Sequence, residues 1–185
     1  STIYNFNHHN SMTGKATTKI LHLGICFLLI SSLAACRMTV SLTGGDIDPK
    51  AKTVYVQTFI NNSSLVNPTL SQEFTNALKD MIQSQTPLTI INSAGDYSIE
   101  GEITNYTISP VAIQGNETAA MNRLTITVHV VFTNTFDETK NFDQSFSRYV
   151  DYLSTQNFTS VEGSLVNAIN EALTDDIFNK AFVNW

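Results

Sequence analysis

The residue with the most defined chemical context in this sequence is Cys36, which ends the segment "SSLAAC". Lys15 and Lys19 supply positive charge upstream, and "ILHLGICFLLI" at 20–30 supplies a short apolar core. Small residues then lead to the cysteine, an order that is typical of a secretory signal. The apolar core is shorter than the roughly 20 residues that a helix needs to span a bilayer. We therefore expect export of the chain that follows.

The four residues Leu33-Ala34-Ala35-Cys36 resemble a bacterial lipobox, in which a signal peptidase cuts before a diacylated cysteine. This resemblance implies lipid attachment at Cys36. Each buried CH₂ of a lipid chain adds about 0.8 kcal/mol, and more than one chain gives stable anchoring. The alternative is a plain cleaved signal that happens to end in cysteine.

These features divide the chain into three parts. Residues 1–35 are interpreted as a lipoprotein signal preceded by sequence upstream of Met12. Residues 36–51 are predicted to be a lipidated arm, and residues 52–185 a single domain, because no repeat or internal linker interrupts them. The whole chain has 10 basic and 16 acidic residues. Loss of Lys15 and Lys19 leaves 8 and 16, a net charge of −8, which argues against a nucleic-acid partner.

Residues that could support catalysis are few. Of the chain's four histidines only His129 follows Cys36, and no other cysteine does, so neither a thiolate metal site nor a disulfide is expected. Glu100 and Glu102 alternate on one predicted strand face, which solvation explains better than acid–base chemistry. Gly44-Gly45 lacks the Lys-Ser/Thr of a phosphate-binding loop. We expect no enzyme activity, no cofactor and no metal.

The apolar pattern after residue 51 predicts strands and two helices. Predicted strands cover 52–61, 88–93, 97–109, 123–136 and 141–153, and amphipathic helices lie at 69–86 and 159–182. Pro110 lacks a backbone donor and is expected either to end the third of these strands or to place it at an edge. Thr69 with Gln72, and Thr159 with Glu162, are candidate capping boxes. One apolar face per strand and one apolar stripe per helix favour an α+β two-layer sandwich, with two helices packed on one face of a mixed four- to five-stranded sheet.

Two sets of residues are candidates for binding. Thr125, Thr127, His129 and Thr133 share the outward face of one strand and form a candidate partner face. Arg148 falls where strand parity expects an apolar side chain. Without a binding role, it either extends its charge out at a sheet edge or follows a bulge that resets the parity. With one, it binds an anionic group such as a lipid phosphate, together with Arg123 and Lys140.

Five segments together resemble one family: "CRMTVSLTGGDI", "KTVYVQTFIN", "GEITNYTISPVA", "NRLTITVHVVFTN" and "FSRYVDY". They are similar to the LptE family, the outer-membrane lipoproteins of lipopolysaccharide assembly in Gram-negative bacteria. The resemblance covers nearly all of the chain after Cys36. It implies a two-layer fold, a palmitate-bearing lipid anchor at Cys36, and a non-enzymatic role as partner and plug of the LptD β-barrel.

The resemblance also implies lipopolysaccharide as a ligand and the cell outer membrane as the location, with the domain facing the periplasm or the barrel lumen. This domain has few cations, so the family's basic contacts do not map directly onto it. The alternative function is a lipoprotein binding module of another secretion or surface-fibre apparatus. An exposed apolar groove would favour that module, and a smooth polar surface would favour the plug.

Overall fold

The computed structural model describes residues 47–65, 67–111 and 120–183. The chain divides into two compact units, 1–42 and 43–185, and every described residue belongs to the second. Cys36 and the proposed signal therefore lie outside the described residues. Within the described ranges, no helix combines the length and apolarity needed to cross a membrane.

Six strands and two long helices form the domain. The strands are β1 (Thr53–Val56), β2 (Ile60–Asn61), β3 (Thr89–Ile91), β4 (Tyr97–Val111), β5 (Met121–Asn134) and β6 (Phe142–Leu153). Helix α1 (Leu70–Gln85) joins β2 to β3, and helix α2 (Phe158–Phe182) follows β6. A short 3₁₀ turn, Glu138–Lys140, lies between β5 and β6.

The sheet is mixed and runs in the order β3-β1-β4-β5-β6, with β2 extending β1 alongside β4. β1 pairs in parallel with β3 and β4. Helix α1 carries the chain back to the end of the sheet where β1 began, so that β3 can run in the same direction as β1. β4, β5 and β6 are long antiparallel neighbours joined by short connections. These three strands therefore form the broad part of the sheet.

Both helices cover one face of this sheet and bury it. Leu70, Phe74, Leu78 and Ile82 of α1 are fully buried, and α2 contributes a second buried row: Leu165, Val166, Ile169, Leu173, Ile177 and Phe182. Alternate residues of β4 and β5 meet them from the sheet, which is the period of two expected of a half-buried strand. The predicted α+β two-layer sandwich is confirmed, with five to six strands.

The predicted single strand at 52–61 is in fact two strands, β1 and β2. The side chain of Phe59 turns into the core, where it is fully buried, and its backbone N–H donates to Thr75 Oγ1 at 3.0 Å. A Cβ at Gly101 would lie 2.7 Å from the Phe59 ring. The absence of a side chain at Gly101 therefore makes room for Phe59, and the strand is interrupted opposite this point.

Of the two alternatives predicted for Pro110, that it ends the strand or lies on a strand edge, the structure shows the second, because β4 continues to Val111. β2 stops opposite Ile103, so the last part of β4 has a strand on one side only. The missing N–H of a proline is tolerated in such an edge position.

Both predicted capping boxes are wrong, because neither threonine caps its helix. Asn67 Oδ1 accepts the backbone N–H of Leu70 at 3.1 Å, and Thr69 makes no side-chain cap bond. At α2, Asn157 Oδ1 accepts the N–H of Thr159 at 3.0 Å. In each case the side chain of an asparagine just upstream caps the helix in place of the predicted threonine. Asparagine is among the residues preferred at this position.

Glu162 has a different role, as an acceptor that connects three elements. Its Oε1 accepts from Tyr106 Oη of β4 at 2.6 Å and from Asn67 Nδ2 before α1 at 2.8 Å. Burial, and then the hydrogen bond to Glu162, raise the pKa of the Tyr106 hydroxyl. The contact holds α2 against β4 and the start of α1.

Candidate functional site: the outer face of the sheet

The sheet face that the helices leave uncovered, called here the outer face, is built from β4, β5 and β6. On β5, Leu124, Ile126, Val128, Val130 and Phe132 are buried against the helices. The residues between them therefore point to the outer face, and these include Thr125, Thr127, His129 and Thr133. The structure thus brings the four predicted partner-face residues together on one surface.

Cross-strand neighbours continue the polar character of this face on both sides of β5. Thr127 lies between Asn105 of β4 and Ser147 of β6. Its Oγ1 is 2.9 Å from Ser147 Oγ, a hydrogen bond between two hydroxyls. Asn105 in turn donates to Thr107 at 3.3 Å. The centre of the outer face is therefore a layer of hydroxyls and amides.

One row further along, His129 lies between Glu102 and Ser145. His129 Nε2 is 2.6 Å from Asp143 Oδ1, and Glu102 accepts a hydrogen bond from Asn62. His129 has no serine or cysteine nucleophile bonded to it. In the chain segments that the structure describes, no group of three His, Cys, Asp or Glu residues could hold a metal ion. The arrangement can hydrogen-bond a partner.

Arg123 closes the far end of the outer face. Its Nε and Nη2 donate to the two carboxylate oxygens of Asp151 at 2.7 and 2.9 Å. Its guanidinium also stacks 3.6 Å from the centre of the Tyr149 ring. The hydrogen bond from Arg123 lowers the pKa of Asp151, while Asp151 raises that of Arg123. Tyr149 remains 55 % exposed, so a flat, charged and aromatic corner faces solvent.

Arg148 lies on the opposite side of the sheet. It pairs across the strands with Ile126, a fully buried residue, so it points toward the helical layer at the β6 edge. There its Nε and Nη2 donate to Asp176 of α2, each at 2.6 Å. The hydrogen bonds that Arg148 donates to Asp176 raise the pKa of Arg148. Arg148 thus extends its charge out at the sheet edge, one of the alternatives that its position allowed.

Lys140 belongs to the 3₁₀ turn, with its Nζ 3.9 Å from Asp137. Arg123, Arg148 and Lys140 therefore occupy the outer face, the helical side and a turn, and they do not form one common site. A binding role for each of them separately stays a prediction.

Sequence reasoning missed the outer-face residues that β4 and β6 contribute. These are Asn105, Thr107, Ser145, Ser147, Tyr149 and Asp151. The alternation within β6 does carry a signal, since its odd-numbered residues from Asp143 to Asp151 are polar or amphipathic. In β4, the bulge between Ile103 and Asn105 changes which residues point to the outer face. A simple alternating pattern in the sequence does not reveal this change.

The fold and this surface define a class of protein: a small two-layer α+β domain whose uncovered sheet face is polar and hydrogen-bonded. The family model described as "LptE: Lipopolysaccharide-assembly" matches residues 51–181. This chain belongs to the LptE family, and the resemblance noted in its sequence is confirmed. No curated protein matches the chain.

Several solved structures are similar to this chain at low sequence identity. A putative neuraminyllactose-binding hemagglutinin homolog from Helicobacter pylori is 8% identical with a TM-score of 0.51, covering 75% of this chain and 87% of that one. A minor lipoprotein from Acinetobacter baumannii is 14% identical with a TM-score of 0.48, covering 70% and 91%. The rare lipoprotein B from Shewanella oneidensis is 12% identical with a TM-score of 0.40, covering 68% and 89%. At these identities the likeness concerns the fold alone.

Proposed function

We propose that this protein is a non-enzymatic lipoprotein of the outer membrane that assists lipopolysaccharide assembly as the partner and plug of an LptD-like β-barrel. Membership of the LptE family supports the assembly role. The finer proposal, the barrel partner, rests on one observation, the continuous polar outer face that spans β4, β5 and β6.

The chemistry of the outer face suits a barrel lumen. Large outer-membrane barrels have a polar, hydrated interior. A domain that fills such an interior gains from hydroxyls and amides, because each hydrogen bond contributes a net of about 0.5–1.5 kcal/mol and leaves no polar group of the lumen unpaired. Thr125, Thr127 and Ser147 offer such groups on a rigid sheet.

A lipid at Cys36 would add the second requirement, residence at the membrane. Two or more acyl chains hold a protein at a bilayer surface and limit its diffusion to that plane. The domain would then face the periplasm or the barrel lumen, with the arm 36–51 between lipid and core.

The test is a pair of charge variants on opposite layers of the domain. Thr125→Asp with Thr127→Asp adds two negative charges to the outer face. Gln72→Asp with Gln83→Asp adds the same two charges at exposed positions of α1. Each variant is purified from detergent-solubilised outer membranes, and copurifying proteins are identified by mass spectrometry.

We expect a large β-barrel to accompany the wild type and the α1 variant, and to be lost from the outer-face variant. Circular dichroism checks that both variants fold. Depletion of the wild type should lower surface lipopolysaccharide and sensitise cells to large apolar antibiotics. Equal barrel recovery with both variants, or normal surface lipopolysaccharide after depletion, would show that the outer face does not serve this partner.

A further inference from the structure

The two edge strands of the sheet differ greatly in length. β3, at one edge, has three residues, whereas β6, at the other, has twelve, all paired with β5 in one unbroken register. Among the described strands, none pairs with the other side of β6. A long, regular edge strand is a template for a further strand, and proteins commonly protect such an edge with proline, lysine or a bulge. β6 contains none of these, so its open edge can accept another strand.

The backbone groups of β6 that face the open edge can be assigned. Just beyond the strand, the Ser154 N–H donates to the backbone oxygen of Ala120 at 3.0 Å. Because these groups alternate in direction, even-numbered residues of β6 turn theirs toward β5 and odd-numbered residues turn theirs outward. The Leu153 N–H agrees, since it donates to the Gln156 side chain at 3.2 Å. The open edge therefore carries the N–H and C=O groups of Asp143, Ser145, Ser147, Tyr149 and Asp151.

Apolar side chains also reach this edge, on the side of the sheet that faces the helices. Phe132 stacks on Phe142 with 5.3 Å between the ring centres, and Phe142 meets Phe146 at 6.0 Å. Phe132 is buried, whereas Phe142, Phe146 and Val150 are only half-buried. A row of rings thus runs from the core to the open edge and is incompletely covered there.

The sequence of β6 is complementary to a second copy of itself. Two antiparallel copies related by a two-fold axis place one residue opposite itself. With the axis at Phe146, the two Phe146 rings meet, and Phe142 lies opposite Val150 of the second copy. Gln144 then lies opposite Arg148 of the second copy, where its amide oxygen can accept from the guanidinium. Every pair on the helical side is therefore apolar or hydrogen-bonding.

The same register is also favourable on the outer face. Ser145 lies opposite Ser147 of the second copy, and Asp143 lies opposite Tyr149, whose exposed hydroxyl can donate to the carboxylate. Opposite pairs of odd-numbered residues are the ones that exchange backbone hydrogen bonds, because their N–H and C=O groups point outward.

The other registers near the middle of β6 are less favourable. When the axis moves one residue toward the end of the strand, Asp143 lies opposite Asp151. When it moves two residues, Arg148 lies opposite itself, and like charges in such positions destabilise a sheet. When it moves three residues, or one residue back, Arg148 lies opposite an apolar side chain, Val150 or Phe142. Charge and apolar pattern together therefore select the axis at Phe146.

We propose that two copies of this protein pair antiparallel through β6, with the two-fold axis at Phe146, so that their two sheets join into one. This inference goes beyond the proposed function. It concerns the edge of the sheet, and the barrel contact concerns the outer face. In the pair, the Ser145 N–H of each copy donates to the Ser147 C=O of the other.

The first experiment removes that backbone donor. The full chain with its anchor is studied in detergent by sedimentation velocity over a range of protein concentrations. Ser145→Pro deletes an outward N–H, at a position where an edge strand tolerates proline. Ser145→Ala is the matched control, since it removes the hydroxyl and keeps the N–H. We expect dimers of the wild type and of Ser145→Ala. Ser145→Pro should dimerise about tenfold more weakly or worse, because the two-fold axis removes two hydrogen bonds at once.

The second experiment tests the register by oxidative crosslinking. Phe146→Cys places two thiols at the axis in a pair without backbone hydrogen bonds, where the Cα atoms are about 4.5 Å apart and a disulfide can form. Gln144→Cys is the control, because the register separates its two copies by four residues, about 13 Å along the strand. Wild type treated in parallel reports any crosslink through Cys26 or Cys36. We expect a covalent dimer of Phe146→Cys alone.

A wild type that stays monomeric at every concentration would overturn the proposal. Equal association of Ser145→Pro and wild type would also overturn it, since it would show that the anchor drives association. Crosslinking of Gln144→Cys as strong as that of Phe146→Cys would refute the register. Circular dichroism checks that Ser145→Pro folds, and the cysteine variants decide the question if it does not.

Further outcomes separate this proposal from the barrel contact. The variant Thr125→Asp with Thr127→Asp should lose the copurifying barrel and remain a dimer, because neither residue lies on β6. If the wild type is monomeric and Ser145→Pro loses the barrel, β6 pairs with a strand of the barrel, and the self-pairing proposal is wrong.

Discussion

Arg148 donates two hydrogen bonds of 2.6 Å to the carboxylate of Asp176, which joins the edge strand β6 to the last helix. The pair makes a clear test of whether Arg148 also binds lipopolysaccharide. Asp176→Asn keeps Arg148 and weakens its protein partner, whereas Arg148→Ala removes the cation. If Arg148 binds phosphate, Arg148→Ala should reduce lipopolysaccharide capture about tenfold in low salt, and Asp176→Asn should preserve or raise it.

Capture is measured by pull-down on immobilised lipopolysaccharide, with the Tm of each variant recorded beside it. Equal losses in Arg148→Ala and Asp176→Asn would make the ion pair purely structural. Unchanged capture in a folded Arg148→Ala would exclude this residue from binding.

Gly101 is predicted to be a position where even a methyl group is harmful. A Cβ there would lie 2.0 Å from the backbone oxygen of His129 and 2.7 Å from the Phe59 ring. Gly101→Ala should therefore lower the free energy of unfolding by about 3 kcal/mol or more. The matched control is Gly163→Ala in α2, where nothing lies within 4 Å. That change should stabilise by about 0.5–1 kcal/mol, because alanine favours helix. Urea unfolding measures both, and similar effects would contradict the prediction.

Asn170→Leu should raise the stability of the domain. The Asn170 Oδ1 is buried without a partner, and an apolar side chain of similar size leaves no such group. We expect a gain of about 1–2 kcal/mol in the free energy of unfolding, or a few degrees in Tm. Asn167→Leu, at an exposed position one turn away, is the control and should have little effect. A Tm below that of the wild type would show that the amide is needed for the fold.

Stability should fall as the solution becomes acidic. Among the residues that the structure describes, three carboxyl groups have a lowered pKa. Hydrogen bonds from Arg123 lower that of Asp151, the backbone of Lys52 lowers that of Asp96, and the Thr139 hydroxyl lowers that of Asp137. A lowered folded-state pKa means that the stabilising contribution is present above the ordinary value of 3.8 and is lost as the pH falls through and below it.

Urea midpoints measured between pH 6 and pH 3 should therefore decrease. Asp151→Asn removes one of these groups, so its midpoint should decrease less over the same range than that of the wild type. A steeper loss in Asp151→Asn would contradict the assignment.

The lipid anchor at Cys36 remains a prediction with a direct test. Cys36→Ala should leave uncut precursor and abolish palmitate labelling, because the alanine has no thiol to acylate. Cys26→Ala is a control, since that cysteine lies within the apolar core of the proposed signal. It should leave labelling intact, and persistent labelling of Cys36→Ala would refute the lipobox interpretation.

The sequence predicted the elements that repeat a simple period. The alternation of Leu124, Ile126 and Val128 on β5, and the rows of apolar residues on both helices, each reflect burial of one face, and burial selects for that period. For the same reason, the placement of Thr125, Thr127 and His129 on one face was predictable.

Other features depend on contacts between residues that are distant in the chain. The break between β1 and β2 needs Phe59 to meet Gly101, and Glu162 bonds Tyr106 of β4 instead of capping its own helix. Nothing local in the sequence records these encounters.

The sequence by itself determined the composition of the two layers, the polarity of each face and the position of Cys36 after an apolar segment. Those properties follow from side-chain chemistry and from the spacing of apolar residues along each strand and helix. Only the tertiary structure decided that Arg123 and Arg148 lie on opposite sides of the sheet and that each is paired with a carboxylate. It also decided that Asn170 lies in a groove lined by Glu73, Asp80 and Glu171. Such outcomes depend on which strand and helix become neighbours, and that is settled by packing across the whole domain.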